Sequence, residues 1–271
     1  MTDAKLPLGQ ETAYPDRYEA GVLFPIARGE NRGALSGGAL PFSGVDIWNA
    51  WELTWLGTGG LPSVATAEIR IPAASPNLIE SKSLKLYLNS FSMSRFDSAA
   101  SVAETIAADL SACLGAAVEV RVELITDIDT TQACSFSGTC LDTLAVTCKQ
   151  WEVEPTLLKS DPETIVSEEL YTHLLRSLCP VTSQPDMGSI AFHYQGPKID
   201  AESLLQYVVS FRQHNDFHEA CVERMFVDIL KQCQPDKLSV YARYQRRGGI
   251  DINPFRSNFE DTPPNLRLWR Q

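Results

Sequence analysis

The chain has 271 residues, 44% hydrophobic and 21% charged, with 23 Lys and Arg against 34 Asp and Glu for a net charge of −11. That length and apolar content suit one large or two ordinary globular domains that bury a core without staples. The acidic balance argues against a nucleic-acid surface, because phosphate backbones need clustered cations, and any anionic ligand must be met by a local basic patch.

In chain order, the opening "MTDAKLPLGQ" lacks a basic region followed by an apolar run, and no stretch approaches membrane-spanning length, so the cytoplasm is the expected compartment. Residues 1–40, rich in Gly, Pro and charge, are expected to form an extended arm. "VDIWNAWELTW" (45–55) predicts a strand, and Ile69 and Ile71 alternating with Glu68 and Arg70 predict another. The segment 79–113 then reads as a helix pair: Leu84 to Phe91 suits the first helix, and Val102, Ile106 and Leu110 have the spacing of the second. Val118, Val120, Val122 and Leu124 alternate with charged residues as a third strand. The acidic, Pro-containing "EVEPTLLKSDPET" (152–164) marks a boundary.

Beyond that boundary, "SLCPVTSQPDMG" (177–188) sets Cys179 seven positions ahead of Asp186 with two prolines between them. Taken alone, it reads as a buried structural cysteine beside a turn. A strand follows at Ile190, Phe192 and Tyr194, then a second helix pair over 199–233, then a strand at Leu238, Val240, Ala242 and Tyr244. "RRGG" (246–249) taken alone is a surface turn. Seven cysteines, at 113, 134, 140, 148, 179, 221 and 233, form an odd set without a CxxC pair and are expected to be reduced thiols with no metal ligand spacing.

The two helix pairs are copies of one another. Aligned without gaps, 79–113 and 199–233 match at Ile79/Ile199, Ser83/Ser203, Leu84/Leu204, Tyr87/Tyr207, Ser90/Ser210, Phe91/Phe211, Val102/Val222, Leu110/Leu230 and Cys113/Cys233. Ordinary composition would give about two matches over such a length. With their flanking strands, the copies predict an α+β fold of two tandem units, each an antiparallel sheet with paired helices on one face. The expected division is an arm at 1–40, a first module at 41–155 and a second at 156–271.

The copies agree on core positions and differ on polar ones. The first carries Glu80-Ser81-Lys82-Ser83 where the second has Asp200-Ala201-Glu202-Ser203. The second carries His218-Glu219 where the first has Ser98-Ala99, and it alone has the Cys179–Asp186 loop. Each copy holds part of a polar set that neither completes, which suggests one composite site. The alternatives remain open: the first string also suits an ordinary helix start with Ser81 capping, and His218-Glu219 a solvated helix face.

"NLIESKSLKLYLNSF", "CPVTSQPDMGS", "VSFRQHNDFHEACVER" and "SVYARYQRRGGIDINP", with "SGVDIW" and "NPFRSN", closely resemble the NADPH-dependent 7-cyano-7-deazaguanine reductases of the queuosine pathway in their long, two-module form. The likeness covers nearly the whole chain and is loosest in the N-terminal arm and in the first module outside its Glu-Ser-Lys-Ser string. In the short form of the family the two polar strings lie on one segment and sites assemble between subunits, so the long form looks like a fused pair that keeps one site per chain. The resemblance implies tunnelling-fold modules, a homodimer and reduction of the nitrile of 7-cyano-7-deazaguanine to an aminomethyl group with two NADPH, in tRNA queuosine biosynthesis and without direct nucleic-acid or membrane contact.

It further implies roles for residues. Cys179 matches the nucleophile that forms a thioimide and Asp186 the proton donor, while Ile79, Glu80, Ser81, His218 and Glu219 match substrate-binding positions. His218 is suited to exchange protons near the thiol or imine, and Glu219 to accept hydrogen bonds from a guanine-like N–H edge. Ser81, Lys82, Arg247 and Gly248 are the expected NADPH contacts, forked arginine donors and an open glycine backbone suiting phosphates. No GxGxxG follows a strand, so a Rossmann site has no support. Three other readings stand beside this one: a nitrile hydrolase using Cys179, Glu80 and Lys82, a zinc-dependent pterin or purine cyclohydrolase, and a non-catalytic purine-binding module.

Overall fold

The computed structural model describes residues 14–33, 35, 39–126 and 133–271, so the first thirteen residues of the expected arm lie outside the described residues. The elements in order are β1 (Pro25–Ala27), α1 (Gly29–Arg32), β2 (Ser43–Leu56), β3 (Pro62–Pro72), β4 (Asn77–Ile79), α2 (Ser81–Ser90), α3 (Ala99–Leu114), β5 (Glu119–Leu124), β6 (Thr139–Cys140), β7 (Ser160–Leu178), β8 (Pro185–Ile199), α4 (Ala201–Ser210), α5 (His218–Cys233), β9 (Lys237–Tyr244) and β10 (Ile250–Ser257). This is a mixed α+β chain with mainly antiparallel sheets, β6 pairing parallel with β7, and two long helix pairs.

The chain forms two compact units that interleave along the sequence. The first comprises Met1–Glu30, Ile47–Thr131 and Arg246–Asp251; the second comprises Asn31–Asp46, Gln132–Gln245 and Ile252–Gln271. Strands β2 and β10 therefore contribute residues to both.

In the first unit, β3 pairs antiparallel with β5 from Ala65↔Leu124 to Arg70↔Glu119. The alternation places Ala65, Ala67, Ile69 and Ile71 in the core with Leu84, Tyr87, Phe91, Val102, Ile106 and Leu110. Part of the expected arm is ordered into the unit, since β1 pairs antiparallel with β4 at Pro25↔Ile79. In the second unit, β7, β8 and β9 run antiparallel, and the helix-facing residues of β8, Ile190, Phe192 and Tyr194, join Leu204, Tyr207, Phe211, Val222 and Phe226 in one core. Strand β7 ends at Leu178, so Cys179 is the first residue beyond it. A further strand, β10, pairs with β9 at Phe255↔Tyr241.

The repeat extends to buried polar contacts. In the first unit Ser83 Oγ accepts from Phe24 N–H at 3.1 Å, Tyr87 donates to Asp109 at 2.6 Å and Ser90 donates to the Tyr87 carbonyl at 2.6 Å. In the second, Ser203 Oγ accepts from Lys159 N–H at 3.1 Å, Tyr207 donates to Asp228 at 2.7 Å and Ser210 donates to the Tyr207 carbonyl at 2.6 Å. Buried hydroxyls are costly unless bonded, which explains why Ser, Tyr and Ser are identical in both copies. The turns that supply Phe24 and Lys159 are themselves equivalent: Glu19 and Glu154 cap the 3₁₀ turns Ala20–Val22 and Pro155–Leu157. Their separation differs from the helices' offset of 120, so an ungapped comparison does not register them.

An internal ion network holds α5 in the second unit. Arg256, fully buried, donates to Asp46 at 2.7 Å and to Glu223 at 2.8 Å, and Arg32 donates to Glu223 at 2.6 Å. Burial raises the Glu223 pKa, but the two guanidiniums outweigh it and hold the carboxyl below its ordinary range.

Candidate active site

Four of the expected residues lie in the second unit. Cys179 opens the turn that joins β7 to β8, its N–H bonding the Gln184 carbonyl at 2.9 Å and its carbonyl accepting from Ser183 N–H at 2.9 Å. Ser183 takes the left-handed conformation, φ 54°, that closes so short a reversal. The end of β7 is braced from the other side: Leu178 N–H bonds the His214 carbonyl and Asp216 N–H bonds the Leu178 carbonyl, at 2.8 and 3.1 Å. The residues before α5 are thereby fixed against the end of β7, next to Cys179.

That placement determines the thiol's chemistry. Cys179 is only 5% exposed, and burial alone would raise its pKa. The Thr182 hydroxyl and the backbone N–H groups of Thr182 and Val181 bond the sulfur and outweigh burial, so the pKa falls below the ordinary thiol value although the Asp186 charge opposes it. The turn therefore favours the thiolate form of Cys179 more than burial alone would.

Asp186, buried at the start of β8, lies opposite Ser177 across the ladder. His218 begins α5, with Nε2 3.6 Å from Asp186 Oδ2, an ion-pair separation too long for a hydrogen bond. Its ring stands edge-on to Tyr244, the centroids 4.1 Å apart. Glu219 follows in the first turn and is also buried. The expectation of a solvated helix face is not met at either residue.

Two residues of this set carry no signal in the sequence. Thr182 is an unremarked residue of the turn, and Tyr244 reads as an apolar strand position. The hydroxyls of Tyr244 and Ser177 are buried beside the Cys221 thiol without a well-aligned hydrogen bond, and burial pushes the Cys221 thiol well above its ordinary range. Cys221 is thus the inert counterpart of Cys179.

The remaining expected residues lie in the first unit. Ile79 ends β4, and Glu80 caps α2, its carboxylate accepting from Lys82 N–H at 2.8 Å and Ser83 N–H at 2.7 Å. The cap is therefore Glu80, not Ser81. The carboxylate is 1% exposed, each oxygen taking one backbone donor and retaining a further acceptor site. Ser81 and Lys82 form the first turn of α2.

Arg247 and Gly248 join this group through Lys85, which the sequence reading did not single out. Gly248 has φ 64°, a conformation that favours glycine, and a Cβ there would stand 3.0 Å from Cε near the flexible end of Lys85. Arg247 N–H bonds the Ile250 carbonyl at 2.9 Å, and the Arg246 guanidinium stacks 5.6 Å from the Trp51 ring centroid. Lys85 lies three residues beyond Lys82, so both sit on one helical face, a spacing from which it was legible.

Comparison with known proteins bears on both groups. Residues 14–122 match the family described as "Nitrile reductase, 7-cyano-7-deazaguanine-reductase N-term", and residues 185–263 match "QueF-like protein". A protein of Bordetella avium named "NADPH-dependent 7-cyano-7-deazaguanine reductase" is 52% identical over 100% of this chain and 99% of its own length. Proteins of the same name from Chromobacterium violaceum and an Azoarcus species are 50% and 53% identical, covering 98% and 94% of this chain and 96% and 91% of their own.

Proposed function

The chain belongs to the NADPH-dependent 7-cyano-7-deazaguanine reductase family, and from that premise we propose that it reduces the nitrile of 7-cyano-7-deazaguanine to 7-aminomethyl-7-deazaguanine in queuosine formation. The observation that carries the mechanism is the Cys179 turn, which holds a buried thiol with a lowered pKa in the same turn region as a buried acid. A nitrile carbon accepts hydride poorly, whereas thiolate addition yields a thioimide with a reducible C=N bond. Asp186 donates the proton to the nitrile nitrogen as the carbon–sulfur bond forms. His218, within ion-pair distance of Asp186, returns a proton to that carboxylate or to the leaving sulfur when the bond breaks. Glu219, and Glu80 through its remaining acceptor sites, receive the N–H groups of the purine-like ring, with Ile79 and Ser81 beside it. The burial of Ile79, Glu80 and Glu219 suits a site that must keep water from an imine that would otherwise hydrolyse.

The residues of the first unit fit NADPH. Ser81, Lys82, Arg247 and Gly248, with Lys85, offer cations and close backbone approach to its phosphates. When bound, NADPH supplies the hydride in each of the two reductions.

The paired strand-and-helix copies support tunnelling-fold modules, divided by the repeat at 41–155 and 156–271. The family resemblance supports a homodimer. The free thiols support a cytoplasmic setting.

The deciding experiment mixes purified protein with 7-cyano-7-deazaguanine and NADPH and follows nicotinamide absorbance, with Cys179→Ala in parallel. Two NADPH oxidised per nitrile by the wild type, and none by the variant, is the expected result. Ammonia release without NADPH oxidation would overturn it in favour of hydrolysis.

A further inference from the structure

The second unit gathers Cys140, Asp142 and His173, whose ligand atoms all lie within 4.8 Å of one another. The mechanism uses none of them. We propose that these three residues bind one divalent transition-metal ion of the zinc type, with a fourth position open to water.

The site is built by two departures from regular structure. Between Thr172 and Leu175 the register of β7 against β8 shifts, so that His173 and Leu174 together oppose Ser189. Such a bulge re-aims the side chains it contains. The second departure is the approach of residues 138–141. Gly138 has φ 91°, and a Cβ there would stand 2.1 Å from the Glu169 carbonyl oxygen, so only glycine lets the chain lie against β7. It continues as β6, with Cys140 beside Tyr171 and Leu141 N–H bonding the Tyr171 carbonyl at 2.8 Å.

The groups around the three residues are those a metal site requires. Asp142 Oδ1 accepts from Thr172 Oγ at 2.5 Å and from His173 N–H at 3.1 Å, which fixes the carboxylate. His173 Nδ1 lies 2.7 Å from Ser189 Oγ, leaving Nε2 for an ion. Arg270 Nη2 donates to Ser189 Oγ at 2.9 Å and to the His173 carbonyl at 2.9 Å, which holds the bulge and the Ser189 hydroxyl in place. All three residues are partly exposed, and Cys140 borders an open cleft with Lys198 and Asp200 that gives an ion access.

Ligand chemistry selects the metal. Thiolate, imidazole and carboxylate together suit zinc, whereas magnesium and calcium take oxygen ligands. Tetrahedral bonds of zinc length put neighbouring ligand atoms roughly 3.4 Å apart, a closure that side-chain rotation supplies. The ion would add to the bonds by which residues 139–142 already meet β7, the pairing of Thr139 and Cys140 and the contacts of Leu141 and Asp142.

The test strips the full-length protein with chelator and titrates it with cobalt(II), then with zinc. Expected is one cobalt per chain with tetrahedral visible absorption and a thiolate charge-transfer band, both displaced by zinc, and a zinc-dependent rise in melting temperature. Cys140→Ser should erase the charge-transfer band, and Asp142→Asn and His173→Gln should each weaken binding by about tenfold or more. Cys134→Ser should change nothing. Circular dichroism checks that each variant is folded, and the two milder variants carry the test if Cys140→Ser is not. No stoichiometric binding by the wild type, or a band that survives in folded Cys140→Ser, would overturn the proposal.

Discussion

Cys179 and Cys221 show how one residue type acquires opposite character within a single unit. Both are buried, but Cys179 receives hydrogen bonds from Thr182 and Val181 that favour its charged form, whereas burial and the nearby Asp216 raise Cys221. Alkylation at Cys179 should therefore reach half its limiting rate below the pH typical of a free thiol. Thr182→Val should move that midpoint upward, with turnover falling at neutral pH and recovering in alkali; an unchanged alkylation profile would sink this account of the turn. The sign for stability follows. A thiol whose folded pKa lies below its unfolded value adds stability that is present above the unfolded value and lost as the pH falls through the folded one.

At the scale of elements, α2 and α4 start in the same way and are expected to serve different ends. Glu80 and Asp200 cap them, each accepting from the N–H of the third residue along, Ser83 or Ser203. Replacing either by Ala should cost about 1 kcal/mol in denaturant unfolding, the usual worth of a cap. Only Glu80→Ala should also raise KM for the nitrile substrate, because Asp200 is assigned no ligand. Equal kinetic effects from both variants would show that Glu80 acts through helix stability alone.

At the scale of the whole molecule, duplication leaves each unit with its own core and its own set of satisfied buried hydroxyls. Each also keeps only one of the two polar strings. Among the described residues no helix is long and apolar enough to cross a membrane. The proposed homodimer is open to sedimentation equilibrium, in which a mass of twice 29.9 kDa is expected and a single-chain mass at working concentration would exclude it.

Short stretches of sequence carried the helix pairs, most of the long strands, the repeat and the strings to which the chemistry is assigned, while β10 went unread. These are read from periodicity and residue identity over short stretches, as in the alternation of β8 and the helical spacing of Val102, Ile106 and Leu110. Tertiary structure decided what depends on register between distant segments. The lowered Cys179 pKa arises from how the turn closes, and the Gly248–Lys85 approach from residues far apart in the chain. The Cys140, Asp142 and His173 cluster needs a bulge in β7 and a glycine against its backbone, neither of which leaves a period in the sequence. Interleaving of the units has the same cause, because β2 and β10 are each continuous in sequence and are divided only by the packing around them.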